Sequence, residues 1–186
     1  MDRTALARRI YETAHLTGSF TLRSGQISQE YFDKYLFEAE PEVLREVAAQ
    51  LQVLIPPEAR VLAGLEMGGI PIATALSLAS GLPAAFVRKK AKTYGTCKLA
   101  EGADVAGKRI CIVEDVVTTG GQVILSAQDL REAGAVVEDV ICVIERDPEG
   151  REKLAAEGLR LHALFTMEEL NVAGEDMQLA KDAGED

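Results

Sequence analysis

The stretch CIVEDVVTTGGQ, Cys111–Gln122, passes from apolar residues through two adjacent acids to two threonines and two glycines. The residues before it, KRICIVED, read as a buried strand. The residues after it, GQVILSAQDLREAG, read as a helix stopped by Gly134. A continuously apolar strand feeding a helix belongs to a parallel sheet covered on both faces. Between the two, glycines let backbone N–H groups turn toward one point, and the helix N-terminus adds partial positive charge. Thr118, Thr119, Gly120 and Gly121 therefore read as a cradle for a phosphate monoester. Glu114 and Asp115 would repel phosphate, but carboxylates accept hydrogen bonds from sugar hydroxyls and orient the water shell of Mg²⁺. A ribose 5-phosphate satisfies both halves. On this stretch alone, a solvated turn and an ordinary helix start remain the alternative. Neither G-x-G-x-x-G nor G-x-x-x-x-G-K-[ST] occurs.

The alternation extends in both directions. PEVLREVAAQLQVLI carries apolar residues at 43, 44, 47, 48, 51, 54 and 55, one helix face, with Pro41 suited to the first turn and Pro56-Pro57 ending it. RVLAGLE, LPAAFVRK, AVVEDVICVIER and LRLHALF read as strands, and GGIPIATALSLASG and EGREKLAAEG as loop and helix. The fold class is α/β, with a central mostly parallel sheet flanked by helices. Ligands of such sheets bind beyond the carboxyl ends of the strands. Those ends read Glu66-Met67-Gly68-Gly69, Arg88-Lys89-Lys90, Glu114-Asp115 and Glu145-Arg146, which should meet on one edge. Before Pro41, GSFTLRSGQISQEYFDKYLF has the turn residues and aromatics of a hairpin or hood. A single domain is read over 1–171, with the hood at about 1–40 and the core at about 41–171; residues 172–186 read as an acidic, weakly ordered tail.

With 186 residues, 47% of them hydrophobic, the chain has material for one ordinary core. No apolar run is long enough to span a bilayer, and MDRTALARRIYETAHL reads as an amphipathic helix, not a signal peptide. The expectation is a cytoplasmic protein without membrane partners. A net charge of −10 opposes extended nucleic-acid binding. Cys97, Cys111 and Cys142 lack metal-ligand spacing, and Cys111 and Cys142 read as core residues. His162 alternates with Leu161 and Ala163 and reads as a solvent-facing strand position.

Against the acidic background, RKKAKTYGTCKLAEG places Arg88, Lys89, Lys90, Lys92 and Lys98 beside one acid, Glu101. Most such runs are solvated surface loops. Next to a phosphate cradle, a mobile basic loop instead reads as a cover that stabilises charge on a leaving group.

VEDVVTTGGQ resembles the diphosphoribosyl-binding motif of type I phosphoribosyltransferases: apolar residues, two acids, two apolar residues, then Thr-Thr-Gly. RKKAKTYG resembles the catalytic loop of the orotate phosphoribosyltransferases within that group. GSFTLRSGQISQEYFDKYLF resembles their hood, and ERDPEG the segment carrying their orotate-contacting arginine. The resemblance runs in order from about residue 18 to 150. It implies the type I phosphoribosyltransferase fold and a reaction of orotate with phosphoribosyl diphosphate (PRPP). Carried over residue by residue, PRPP would be bound by Arg88, Lys89, Lys92, Glu114, Asp115, Val116, Val117, Thr118, Thr119, Gly120, Gly121 and Gln122, with Lys92 and Asp115 catalytic. Orotate would meet Thr118, Arg146, Tyr31, Phe32 and Arg23. Glu66 to Ile70 would form the pyrophosphate-side loop. Mg²⁺ would be the cofactor, held mainly by PRPP and water, with Asp115 nearby. A homodimer would share loop 88–101 across its interface. Three positions depart from the common pattern: Tyr94 stands for histidine, Gly68 for lysine, and Gln122 for serine or threonine. A purine or uracil phosphoribosyltransferase shares the PRPP motif, but the hood and Arg146 speak against it. A nucleic-acid-binding regulator would need a basic patch outside the loop.

Overall fold

The computed structural model describes residues 1–22, 24–90 and 99–182. Asp2 caps α1 (Arg3–Ala14) by accepting from the Ala5 N–H at 2.8 Å. A hairpin of β1 (His15–Thr21) and β2 (Ile27–Phe32) follows, antiparallel, with an irregularity between Thr17 and Phe20. The short α2 (Lys34–Ala39) is capped by Asp33, and α3 (Pro41–Leu51) begins on the proline that cannot continue α2.

The apolar runs then pair as one sheet. β3 (Val61–Leu65) leads through α4 (Gly69–Ser80) to β4 (Ala84–Val87), and β5 (Ala100–Gly102) folds back antiparallel on β4. β6 (Arg109–Val117), α5 (Gly121–Glu132), β7 (Val136–Glu145), α6 (Pro148–Ala156) and β8 (Arg160–Thr166) build the other half, and α7 (Met167–Asp182) closes the described chain. The order is β5-β4-β3-β6-β7-β8, parallel except for β5. From β3 the chain builds outward in one direction, and from β6 in the other. The crevice between the carboxyl ends of these two neighbours is therefore the topological switch point, where open α/β sheets bind ligands.

Alternation along β6 divides the core. Cys111 and Val113 face α1, α3, α4 and α7, with Leu6, Ile10, Phe37, Val47 and Ile72 in one cluster. Ile110 and Ile112 face α5 and α6, with Val123, Leu130 and Leu154 in the other. Cys111 and Cys142 are both buried, as their apolar settings required; Cys97 lies outside the described residues. No helix of the described chain is long and apolar enough to cross a membrane.

Four expectations change. The strand carrying the acid pair runs on to Val117, so Glu114 and Asp115 lie inside it. α1, assigned to the hood, packs into the core, with Leu6 and Ile10 inaccessible to solvent. Residues 172–182, read as a weakly ordered tail, are helical: Ala173 buries against the core, and Gly174 lies against the Tyr11 ring, which a Cβ there would overlap. His162 is only half exposed, because its Nε2 lies 3.0 Å from Asp139 Oδ1 on β7.

Candidate active site

The loop between β6 and α5 leaves Thr118 and Thr119 exposed and turns at Gly120, whose φ of 73° suits glycine. No side chain caps α5. Its first N–H groups and the positive end of its dipole are left to face whatever anion enters the loop. The loop is backed by α6. A Cβ at Gly150 would overlap the Thr118 carbonyl, and Gly120 sits against Leu154. Gln122 donates from Nε2 to Ser126 Oγ at 3.3 Å, so its amide lies along the helix while its backbone stays at the helix start. Val117 is buried, and its carbonyl accepts from the Arg146 N–H at 2.8 Å. That bond fixes the loop after β7 against the loop after β6.

Asp115 has no exposed surface. Its Oδ1 accepts from the Val116 N–H at 2.5 Å, and its Oδ2 lies 2.6 Å from Lys34 Nζ on α2. Gly68, after β3, approaches so closely that a Cβ there would fall inside the Asp115 carboxylate. Glu38, one turn along α2 from Lys34, is buried in the same cluster. Burial and the neighbouring Asp115 push its carboxyl up to about 8. Glu114 folds back so that its Oε2 accepts from the Asp115 N–H at 3.2 Å. Burial, then the Asp115 charge, hold Glu114 well above the usual carboxylate range. For Lys34, burial opposes the charge, but the bond to Asp115 outweighs it and the ammonium titrates above its ordinary value.

Next to this cluster, a cavity of about 150 Å³ is lined by Tyr31, Phe32, Asp33, Lys34, Tyr35, Val116, Thr118 and Arg146. Three aromatic side chains, a threonine hydroxyl and a guanidinium suit a flat ring bearing an anion. On the other flank of the crevice, Glu66 accepts from the Lys89 N–H at 2.5 Å, tying the loops after β3 and β4 together. Arg88 is half-buried, its backbone N–H donates to the Leu99 carbonyl at 3.0 Å, and its Nε has no hydrogen-bond partner among the described residues. A basic donor is thus held unspent at the crevice edge.

The family profile described as "Phosphoribosyl transferase domain" matches residues 37–167. The chain is 54% identical over 170 residues to the orotate phosphoribosyltransferase of Nocardioides sp., covering 91% of this chain and 95% of that one. It is 44% identical over 153 residues to that of Methanocella arvoryzae, covering 82% and 87%. The chain belongs to the orotate phosphoribosyltransferase family. Solved structures agree. The Mycobacterium tuberculosis orotate phosphoribosyltransferase in complex with inorganic phosphate superposes with a TM-score of 0.82 at 28% identity, covering 91% of this chain and 98% of that one. Its PRPP complex gives 0.79, also at 28% identity, with 92% and 99% covered.

As an orotate phosphoribosyltransferase chain, it brings most of its sequence-expected site residues into one crevice: Glu114 to Gln122, Arg146, Tyr31 and Phe32 from one side, Arg88 and Lys89 from the other. Lys92, Tyr94 and Arg23 lie outside the described residues. Among the described residues, no group of three or more His, Cys, Asp or Glu could hold a metal ion, and Lys34 already occupies the Asp115 oxygen. Lys34 and Glu38 escaped the sequence reading. Their i,i+4 spacing inside YFDKYLFE put both on one helix face, but the aromatics of that segment drew the assignment.

Proposed function

We propose that this chain catalyses orotate phosphoribosyl transfer: PRPP and orotate give orotidine 5′-monophosphate and pyrophosphate, a step in making UMP. The observation that carries the reading is a shared residue. Thr118 opens the uncapped start of α5 and also lines the cavity that holds Arg146, Tyr31 and Phe32. A sugar phosphate seated on that loop would present its C1 toward a ring seated in the cavity.

In this reading the 5′-phosphate takes the N–H groups of residues 118–121, and the ribose hydroxyls donate to Asp115, with Glu114 beside it. Arg146 pairs with the orotate carboxylate, and Tyr31 and Phe32 flank its ring, with Arg23 assigned to orotate by the family resemblance alone. Binding both reactants in one crevice converts a two-body encounter into an aligned displacement. As the C1–pyrophosphate bond breaks, positive charge develops on the ribose and negative charge on the departing diphosphate. Asp115 lies on the side of the first, and Arg88, Lys89 and Lys92 meet the second. Orotate N1 forms the new bond to C1 and releases its proton. Mg²⁺ carried by PRPP and water supplies charge neutralisation of the diphosphate. No protein side chain is assigned to it as a direct ligand.

The active species in this reading is a cytoplasmic homodimer that shares loop 88–101 across its interface, Arg88 serving its own site and Lys92 its neighbour's. α4 supports it: the helix carries no charged residue, yet Leu78 on its outer side is 85% exposed. In this reading a second copy covers Leu78.

Loss of orotate absorbance, followed with the purified chain, tests the function. Turnover should require both PRPP and Mg²⁺ and stop on chelation, while adenine, hypoxanthine and uracil are left unchanged. Turnover of one of those bases in place of orotate would overturn the assignment.

A further inference from the structure

We propose that Lys34 is a positioning residue for the transfer reaction: its ammonium, with Glu38 behind it, fixes the Asp115 carboxylate in the orientation that receives the ribose hydroxyls. This rests on the ribose role given to Asp115 above, and the experiment separates the two.

Three features converge on one carboxylate. Asp115 is 1% exposed at its side chain, so water does not screen or hold it. Its Oδ1 accepts from the Val116 N–H, and its Oδ2 is ion-paired with the Lys34 ammonium, with the Glu38 and Glu114 carboxyl groups beside it. Gly68 presses on the same group from the loop after β3, leaving room for this orientation only because it has no side chain. Lys34 in turn is delivered by a fixed element. α2 is capped by Asp33 at one end and anchored by Phe37, which has no exposed surface. The Lys34 side chain remains 33% exposed and lines the cavity with Tyr31, Phe32 and Thr118. The residue thus links the hood, where the ring is expected, to the sheet carboxylate under the sugar.

The chemistry explains why a cation belongs there. Asp115 shares its space with Glu38 and Glu114, two more carboxyl groups held above their usual range. Three acids crowded out of water repel, and any that ionises seeks a counter-charge. Lys34 is the cation ion-paired to Asp115. Removing it leaves the carboxylate buried and unpaired, free to swing away or take a proton, and in either case a poorer acceptor for two sugar hydroxyls.

The experiment is steady-state kinetics of the full chain with PRPP and orotate varied separately. It compares wild type with Lys34→Met, Lys34→Arg, Glu38→Gln and Asp115→Asn, with thermal unfolding of each. The KM for PRPP should rise roughly tenfold or more in Lys34→Met, while the KM for orotate stays within about threefold. Lys34→Arg should recover most of the loss, and Glu38→Gln, which keeps a donor beside Asp115, should be the mildest change. A merely structural effect would move both KM values together, because α2 follows directly on Tyr31 and Phe32. Should Lys34→Met fold poorly, Lys34→Gln, polar and uncharged, repeats the comparison. An unchanged KM for PRPP on loss of the lysine charge, with Asp115→Asn impaired, overturns the proposal alone. An unchanged KM in Asp115→Asn overturns the ribose reading beneath it.

Discussion

Gly150 supports the loop between β6 and α5, the loop proposed to hold the 5′-phosphate. It lies in α6, where alanine would ordinarily favour the helix by about 0.5–1 kcal/mol. A Cβ there would instead overlap the Thr118 carbonyl, and the exposed loop yields more easily than the packed helix. Gly150→Ala should therefore raise the KM for PRPP several-fold while leaving the thermal midpoint near that of the wild type. Titration with PRPP and calorimetric unfolding of the same sample check both halves. At this scale the sequence was informative about residue types and silent about long-range partners. Threonine, glycine and adjacent acids announce a sugar phosphate because their donors and acceptors match its groups. The ion pair between Lys34 and Asp115 joins positions far apart in the chain, and no local pattern encodes which lysine reaches which acid.

Elements separate by how locally they are specified. The strands β3, β6 and β7 were legible because both faces of their central residues are buried, so each carries an apolar run. β5 was not, since three residues on a sheet edge carry no periodicity. α7 was misread because its charged outer face and its glycine dominate the composition, while its inner face, with Gly174 against Tyr11, is defined by contact with α1. Leu170 is wholly buried there. Leu170→Ala should destabilise the protein by about 2–5 kcal/mol, the range for emptying a closed core site, as measured by urea unfolding. α2 permits a prediction on pH. The Glu38 carboxyl, near 4 when unfolded, is pushed up to about 8 in the fold. The folded state thus binds a proton that the unfolded state has lost, and stability falls as pH rises from about 4 to about 8. Glu38→Gln cannot ionise and escapes that decline. Its thermal midpoint relative to wild type should climb between pH 5 and 8 and level off above. A constant difference across that window would place the carboxyl at its ordinary value.

For the whole molecule, what the crevice contains depends on how many chains build it. The phosphate loop, Asp115 and the ring cavity belong to one chain, and the shared-loop reading gives Lys92 to the neighbour. That arrangement can be tested without resolving the interface. Lys92→Ala should lower kcat roughly 10²- to 10³-fold, the scale of losing one charge contact in the transition state, and Asp115→Asn should be impaired through the ribose. Mixed in equal amounts and allowed to exchange subunits, the two proteins re-form as half heterodimers. If Lys92 acts across the interface, each heterodimer has one chain supplying an intact crevice and the other supplying an intact lysine to a different crevice. The Asp115→Asn chain keeps its lysine and lends it to the crevice of the Lys92→Ala chain, whose Asp115 is sound. That site carries no lesion, and the opposite site carries both. Half of the dimers with one good site of two gives about a quarter of wild-type activity, from two preparations that are nearly inactive apart. If Lys92 serves its own chain, every site in the mixture retains one lesion and activity stays at the average of the two variants. Giving one of the two chains an affinity tag and recovering the untagged chain with it establishes that heterodimers formed, so the absence of recovered activity would count against the shared loop and not against exchange.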